Sequence, residues 1–286
     1  MADRKILKAD ALLLLTAFIW GLAFVAQRVG SNYLPPALFN GTRFLLGSLT
    51  LLPLVFLKKG NPHPLTRIEW VGGILCGTLL AIASNFQQYG IVHTTAGKAG
   101  FITGLYVVIV PFLGVFTRNP PGWGSWLGAF LALGGLFLLS PMETADFLKG
   151  DMLVLICAFV FAFHVMALSF FARRGEPLFI ALIQFLTCSF LSLIFSFFFE
   201  GLRFGGLKES ILPLLVAGVF SVGIAYTLQV VAQRDTIPAH AAIIMSLEAV
   251  FAALAGWVFL EELLTSRALL GCGLMFLGSV VAQLKP

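Results

Sequence analysis

Charge is what this sequence has least of. Asp, Glu, Lys and Arg make up 11% of its 286 residues, less than half the roughly 25% usual in soluble domains. A water-soluble catalytic domain is excluded, because no polar stretch exceeds about a dozen residues, far short of a domain. Cysteine is scarce too. Cys76, Cys157, Cys188 and Cys272 stand singly in apolar runs, so neither a disulfide framework nor a zinc site follows. HExxH, GxSxG and Walker patterns are missing, which removes the usual metalloprotease, serine-hydrolase and ATPase chemistries. No metal and no cofactor are expected. The pI near 9.2 does not point to nucleic acid, since the basic residues are scattered over short loops and read as topology signals.

What is abundant is hydrocarbon: 59% hydrophobic residues and a mean hydropathy of +0.98. Apolar runs of about 20 residues, enough to cross a bilayer, fall at 11–30, 35–57, 69–90, 95–117, 122–141, 151–172, 177–199, 210–232, 237–260 and 264–284. They are helices, because backbone in lipid must satisfy its own hydrogen bonds and the runs are twice the length of a barrel strand. The first run follows Arg4, Lys5 and Lys8 as a secretion signal would, but no small-x-small cleavage site ends it. It reads as a retained span. With the N-terminus cytoplasmic, the inner side carries Arg4, Lys5, Lys8, Lys58, Lys59, Arg67, Arg118, Arg173, Arg174, Arg234 and Lys285. The outer side carries Arg28, Lys98, Lys149, Arg203, Lys208 and Arg267, a ratio of 11 to 6. Glu143, Asp146, Glu200, Glu261 and Glu262 fall mostly outside. The expectation is a multi-pass protein of the cell (inner) membrane with both termini cytoplasmic.

The chain also repeats itself. At an offset of 141, Lys8, Asp10, Ala17, Phe18, Pro36, Phe44 and Ser48 fall on Lys149, Asp151, Ala158, Phe159, Pro177, Phe185 and Ser189. At 142, Gln87, Ala99, Ile102 and Leu105 fall on Gln229, Ala241, Ile244 and Leu247; at 143, Gly128 and Gly135 fall on Gly271 and Gly278. Residues 1–141 and 149–284 are therefore expected to be two five-helix repeats. An odd number of spans starts the second repeat on the far side, the arrangement of carriers that open alternately to either face. The fold class is all-α, with ten transmembrane helices.

Polar side chains inside such spans cost roughly 2.5–3.5 kcal/mol at mid-helix for Arg or Asp, so they face protein or a wet cavity. The third and eighth runs carry Asn85, Gln87 and Gln88 against Tyr226, Gln229 and Gln233, and the fourth and ninth carry Lys98 and Tyr106 against His240 and Glu248. The fifth and tenth are nearly free of polar groups. A cavity lined by the third, fourth, eighth and ninth helices is expected, although single glutamines also bridge helices in other membrane proteins. Candidate cavity residues are Trp20, Asn85, Gln88, Tyr106, His164, Tyr226, Gln229 and Glu248. Glu248 is either a protonatable gate or amine partner, or a buried structural acid. His164 either titrates in a proton pathway or bonds a carbonyl as a neutral ring. Arg43, the one arginine well inside a span, suits a substrate carboxylate or phosphate, or a structural pairing with an acid or with carbonyls at a helix end. Lys98 and His240 occupy matching positions in the first turns of their helices, which makes them and Arg43 candidates for gates or charge pairs.

Ile19-Trp20-Gly21, Arg43-Phe-Leu-Leu46, Gly104-Leu-Tyr-Val-Val-Ile-Val-Pro111, Ser246-Leu-Glu-Ala-Val-Phe-Ala-Ala-Leu254, Phe259-Leu-Glu261 and Leu270-Gly-Cys-Gly-Leu-Met-Phe-Leu-Gly278 carry a resemblance over nearly the whole chain. The sequence resembles the drug/metabolite transporter superfamily, and within it the EamA-type transporters. Members typically have a proline after the ninth-helix glutamate; this chain has Ala249, which removes the kink expected there. The resemblance implies a central cavity, moving first, second, sixth and seventh helices, and export or exchange of a small organic molecule such as an amino acid. The expected partners are that small-molecule substrate and the lipid bilayer, with a homodimer left open. A membrane-embedded enzyme would need a nucleophile–base or metal constellation, and a sensor subunit a signalling domain; neither is evident. Proton coupling through Glu248 or His164 and purely downhill movement both remain readings of this pattern.

Overall fold

The computed structural model describes residues 2–57, 65–116, 120–139 and 149–284, with side chains from Lys5 to Ala282. Arg4, Lys58, Lys59, Arg118, Glu143, Asp146 and Lys285, used above to set orientation, lie outside the described side chains. No strand occurs among the described residues. Eight helical spans are long and apolar enough to cross a membrane: Lys5–Gly30, Pro36–Leu57, Arg67–Ile91, Ala96–Gly114, Lys149–Ala172, Pro177–Phe199, Ile211–Gln233 and Pro238–Leu260. Two shorter apolar helices, Trp123–Leu139 and Ser266–Ala282, fill the fifth and tenth places. Pro36, Pro177 and Pro238 open their helices at the first turn, where a missing N–H costs nothing.

The way the spans pack displays the repeat. The second packs on the seventh, the fourth on the ninth and the fifth on the tenth, so each of these pairs maps onto itself when the repeats are exchanged. The third packs on the sixth and seventh, as the eighth packs on the first and second. These are the contacts of two inverted five-helix bundles about a pseudo-two-fold axis.

Glycine makes the closest of these contacts. A Cβ on Gly135 would stand 2.5 Å from the Gly271 carbonyl oxygen, one on Gly271 2.5 Å from that of Gly135, and Gly128 and Gly278 repeat the pairing at 2.6 and 2.7 Å. The fifth and tenth helices thus touch backbone to backbone through four glycines, the small-residue packing that lipid-embedded helices depend on.

Helix ends are closed by carboxylates from other spans. Glu200 accepts from the Ala37 and Leu38 backbone N–H groups at 2.9 and 3.1 Å and from the Tyr89 hydroxyl, and so caps the second span. Glu69 accepts from the Glu176 N–H at the seventh. A basic group sits at the opposite end of the third span, where Arg28 donates to the Ile91 and Val92 carbonyls; Arg173 donates to that of Thr236 in the turn between the eighth and ninth spans. The carboxylate caps and Arg28 complement the helix dipole. Replacing Glu200 by Ala is expected to lower stability by about 1–2 kcal/mol, with Glu200→Gln costing less because one acceptor oxygen survives. Thermal unfolding of the purified chain in detergent checks both.

Candidate functional site

Halfway through the bundle the fourth and ninth spans are interrupted at equivalent places. The fourth runs as Ala96–Gly104 and Tyr106–Gly114, the ninth as Pro238–Met245 and Glu248–Leu260. The joints are tight turns: Leu105 N–H reaches Ile102 and Val108 N–H reaches Leu105, while Leu247 N–H reaches Ile244 and Ala249 N–H reaches Ser246. Such i→i−3 steps within a helix mark hinges. Ala249 was expected to leave the ninth helix unkinked. It does not, because a 3₁₀-type turn needs no proline and is made one residue before Glu248. Gly100 lets the two broken helices meet: its Cβ would fall 2.9 Å from that of Ala252.

Tyr106 and Glu248 are the first residues after the two breaks, and both look into a cavity on the axis. Its wall comprises Trp20, Phe24 and Gln27 of the first span, Arg43 of the second, Gln87 of the third and Thr103 and Tyr106 of the fourth. The second repeat adds Phe161, Val165, Ser221, Tyr226, Gln229, Met245 and Glu248. Its free volume is about 20 Å³, room for one or two waters. Ten of these 14 residues are five repeat-related pairs: Trp20 with Phe161, Phe24 with Val165, Gln87 with Gln229, Thr103 with Met245, and Tyr106 with Glu248. The cavity therefore lies on the symmetry axis, and the two halves of its wall differ in chemistry while sharing a frame.

Polar atoms crowd this small space without partners. Gln27 Oε1, Arg43 Nη2, the Tyr106 hydroxyl, Gln229 Oε1 and Glu248 Oε1 are buried and make no hydrogen bond. Buried polar groups are nearly always satisfied, and five of the 15 such unpaired atoms among the described residues lie on this one wall, where a polar ligand or water would meet them. Arg43 is 1% exposed. Its Nε donates to Asn40 Oδ1 at 2.7 Å, Asn40 Nδ2 is tied to the Ser84 carbonyl at 2.7 Å, and the guanidinium stands 4.9 Å from the Phe44 ring centre. That brace leaves Nη2 free to point at the cavity. Tyr106 and Glu248 face one another across the axis without closing a hydrogen bond of normal length. Among the described residues no ion pair involves Arg43 or Glu248. An apolar side completes the site, with the Trp20 and Tyr226 rings 4.5 Å apart between centres and inclined at 53°, and the Phe44 ring 5.9 Å from that of Tyr226.

The eighth span contributes something its repeat partner lacks. Val216–Tyr226 is wound as a π-helix, whereas the third span is regular α throughout. The wider turn takes carbonyls out of register, and two of them accept from the first span: Ser221 from Trp20 Nε1 at 3.4 Å and Ala225 from the Thr16 hydroxyl at 3.2 Å. π-Helical turns concentrate at functional sites, and this one delivers Ser221 and Tyr226 to the wall. Gly218 and Gly223 admit the second span, where added Cβ atoms would meet Leu46 and Thr50 at 2.8 Å.

Of the sequence candidates, Trp20, Arg43, Tyr106, Tyr226, Gln229 and Glu248 are on this wall. Asn85, Gln88 and His164 are not. Asn85 donates to Ser192 Oγ and the Ala81 carbonyl, Gln88 to Ser31 Oγ and the Gln27 carbonyl, and His164 pairs with Gln184 at 3.2 Å between the sixth and seventh spans. Lys98 and His240 lie away from the cavity in ion pairs, with Asp151 at 2.7 Å and Asp10 at 2.8 Å. Phe24, Gln27, Gln87, Thr103, Phe161, Val165, Ser221 and Met245 also line the cavity; the first, second and sixth spans contribute beside the four expected, and the fifth and tenth do not.

Inverted five-helix repeats around an axial polar cavity define a multi-pass membrane transporter fold. The sequence profile of the EamA-like transporter family matches twice, over residues 7–140 and 148–283, and the chain belongs to that family. An uncharacterized transporter of Archaeoglobus fulgidus is 32% identical over 287 residues, covering 98% of this chain and 87% of that protein. An Escherichia coli K12 protein named "probable amino-acid metabolite efflux pump" is 29% identical over 159 residues, 54% of this chain and 51% of its own. A solved crystal structure superposes with a TM-score of 0.81 at 18% identity, covering 96% of both chains, which shows the shared fold.

Proposed function

We propose that the chain is a secondary transporter that exports a small zwitterionic metabolite of amino-acid type, by alternating access to the axial cavity. One observation carries this reading: Arg43 and Glu248, opposite in charge and in no ion pair among the described residues, line the same buried space, each with one unpaired polar atom, Nη2 and Oε1. A substrate carboxylate takes the free guanidinium nitrogen, and its ammonium takes the Glu248 carboxylate. Each contact is a charge-assisted hydrogen bond in a low-dielectric site. The apolar part of the substrate lies against Trp20, Phe24, Phe161 and Tyr226. The Escherichia coli relative's name supports the amino-acid class.

A cavity of about 20 Å³ is too small for such a molecule, so substrate enters when the bundle hinges at Leu105 and at Ser246–Leu247. Glu248 supplies the coupling. An isolated carboxylate is costly in a buried site, and either a proton or the substrate's ammonium relieves that cost. Competition between the two at one carboxylate exchanges substrate for protons. The chain sits in the cell membrane with both termini cytoplasmic, as the 11-to-6 division of basic residues favours.

Cells overproducing the chain should release more of one amino acid, or resist its toxic analogue, and Glu248→Gln should reduce that export at least about tenfold, the scale of one charged hydrogen bond. In reconstituted vesicles the wild type should respond to an imposed pH gradient and Glu248→Gln should not. Undiminished, gradient-driven export by a folded Glu248→Gln chain would remove the carboxylate from both roles.

A further inference from the structure

We propose that the two ion pairs flanking the cavity, Asp10–His240 and Lys98–Asp151, are symmetry-related gate latches, one for each face of the membrane. The inference rests on the alternating-access reading above. Lys98 and His240 are equivalent positions in the two repeats, and so are Asp10 and Asp151. In each pair the base comes from one repeat and the acid from the other: Lys98 Nζ meets Asp151 Oδ2 at 2.7 Å, and His240 Nε2 meets Asp10 Oδ1 at 2.8 Å. Inversion turns what would be one interaction duplicated on one side into one interaction on each side.

Their depth suits a gate. Lys98 and His240 are the third residues of the fourth and ninth spans, eight residues before Tyr106 and Glu248. That is about 12 Å along a helix, so the cavity lies between the latches. The first pair joins the fourth span to the sixth, and the second joins the ninth to the first; all four spans also contribute to the cavity wall. Opening one face requires the first and ninth, or the fourth and sixth, to part. The ion pair is what must break. Both pairs are made here, and the space between them is only about 20 Å³.

Burial favours latches over surface decoration. Asp151 and His240 side chains are 0% and 2% exposed, and Lys98 and Asp10 reach 15% and 11%. A pair this dry is strongly unfavourable to break halfway, because each charge would be left in a poor solvent. It is therefore made or hydrated, a two-state element of the kind that switching needs. The Thr94 hydroxyl also donates to Asp151, at 3.2 Å. The pairs differ in one respect: Lys98 holds a fixed charge, whereas His240 is an ion only when protonated.

The test reads access to the cavity without any substrate. Ser221→Cys is placed on the cavity wall of a chain whose four cysteines are replaced by alanine. A membrane-impermeant maleimide is then applied to right-side-out and inside-out vesicles. Asp10→Asn should speed labelling at least tenfold from the face that carries the chain ends and leave the other face unchanged; Asp151→Asn should do the reverse. Exchanging the partners, Lys98→Asp with Asp151→Lys, should return labelling to the starting rate. Equal acceleration from both faces, changes under twofold, or a folded exchange variant that stays open would overturn the latches. Should the exchange variant fail to accumulate, Asp10→Cys with His240→Cys replaces it. Its oxidation should block labelling from the terminal face alone until reduced, and unaltered labelling would be equally fatal. Metabolite export by the unmodified chain decides the carrier reading separately.

Discussion

Arg43→Gln should leave a folded, membrane-inserted chain that exports at a few per cent of the wild-type rate. The second repeat already holds glutamine at this position, Gln184, so the substitution suits a helix of this bundle. What it removes is the cation proposed to hold a substrate carboxylate. A charged hydrogen bond contributes about 1.5–3 kcal/mol, and about 1.4 kcal/mol is tenfold in rate, so the loss falls between ten- and a hundredfold. Arg43→Lys should recover little. Its ammonium keeps the charge but cannot both bond Asn40 through Nε and present a second nitrogen to the cavity. Counterflow in proteoliposomes measures the loss, and gel filtration in detergent shows whether the fold survives. Normal counterflow by Arg43→Gln would make the guanidinium a brace on Asn40 and place the anion partner elsewhere.

Gly135→Ala should be among the most damaging substitutions in the chain, while Gly134→Ala, one residue away, should be nearly silent. The added methyl at 135 falls 2.5 Å from a backbone oxygen of the tenth helix and 2.6 Å from Met275 Cγ; at 134 nothing lies within 4 Å. Backbone cannot swing aside as a side chain can, so the fifth and tenth helices must separate. Overpacking of this kind costs about 1–3 kcal/mol or more, against under about 0.5 kcal/mol for an unhindered surface change. Thermal aggregation of the two variants in the same detergent compares them directly. Similar behaviour at 134 and 135 would show that the helices are not held at the spacing described.

The spans were readable because hydrocarbon demands uninterrupted apolar helix, and the repeat because equivalent helices keep equivalent residues. Glu248, Gln229 and Tyr106 could be picked out on the same ground: polar groups stand out against an apolar run. Which way each one faces was not legible. Gln87 and Gln88 are neighbours in sequence and about 100° apart around the helix; the first reaches the cavity and the second turns to Ser31, in the turn after the first span. Asn85 and His164 lie off this wall for the same reason, turned instead to Ser192 and Gln184. Val165 and Met245 went unseen because an apolar lining residue looks like any other in this composition, yet each is the repeat partner of another wall residue. The π-helical turn of the eighth span has no marker that separates Val216–Tyr226 from an ordinary helix.

Because Tyr106 and Glu248 occupy interchangeable seats, the site has a built-in vector. The acid stands on one side of a frame that would accept it on the other. On the proposed binding mode, a chain carrying Tyr106→Glu together with Glu248→Tyr would seat the ammonium end of its cargo against the opposite repeat while Arg43 keeps the carboxylate end. Geometry inherited twice thus sets where a molecule can rest, and a handful of unmatched side chains set which way round it rides.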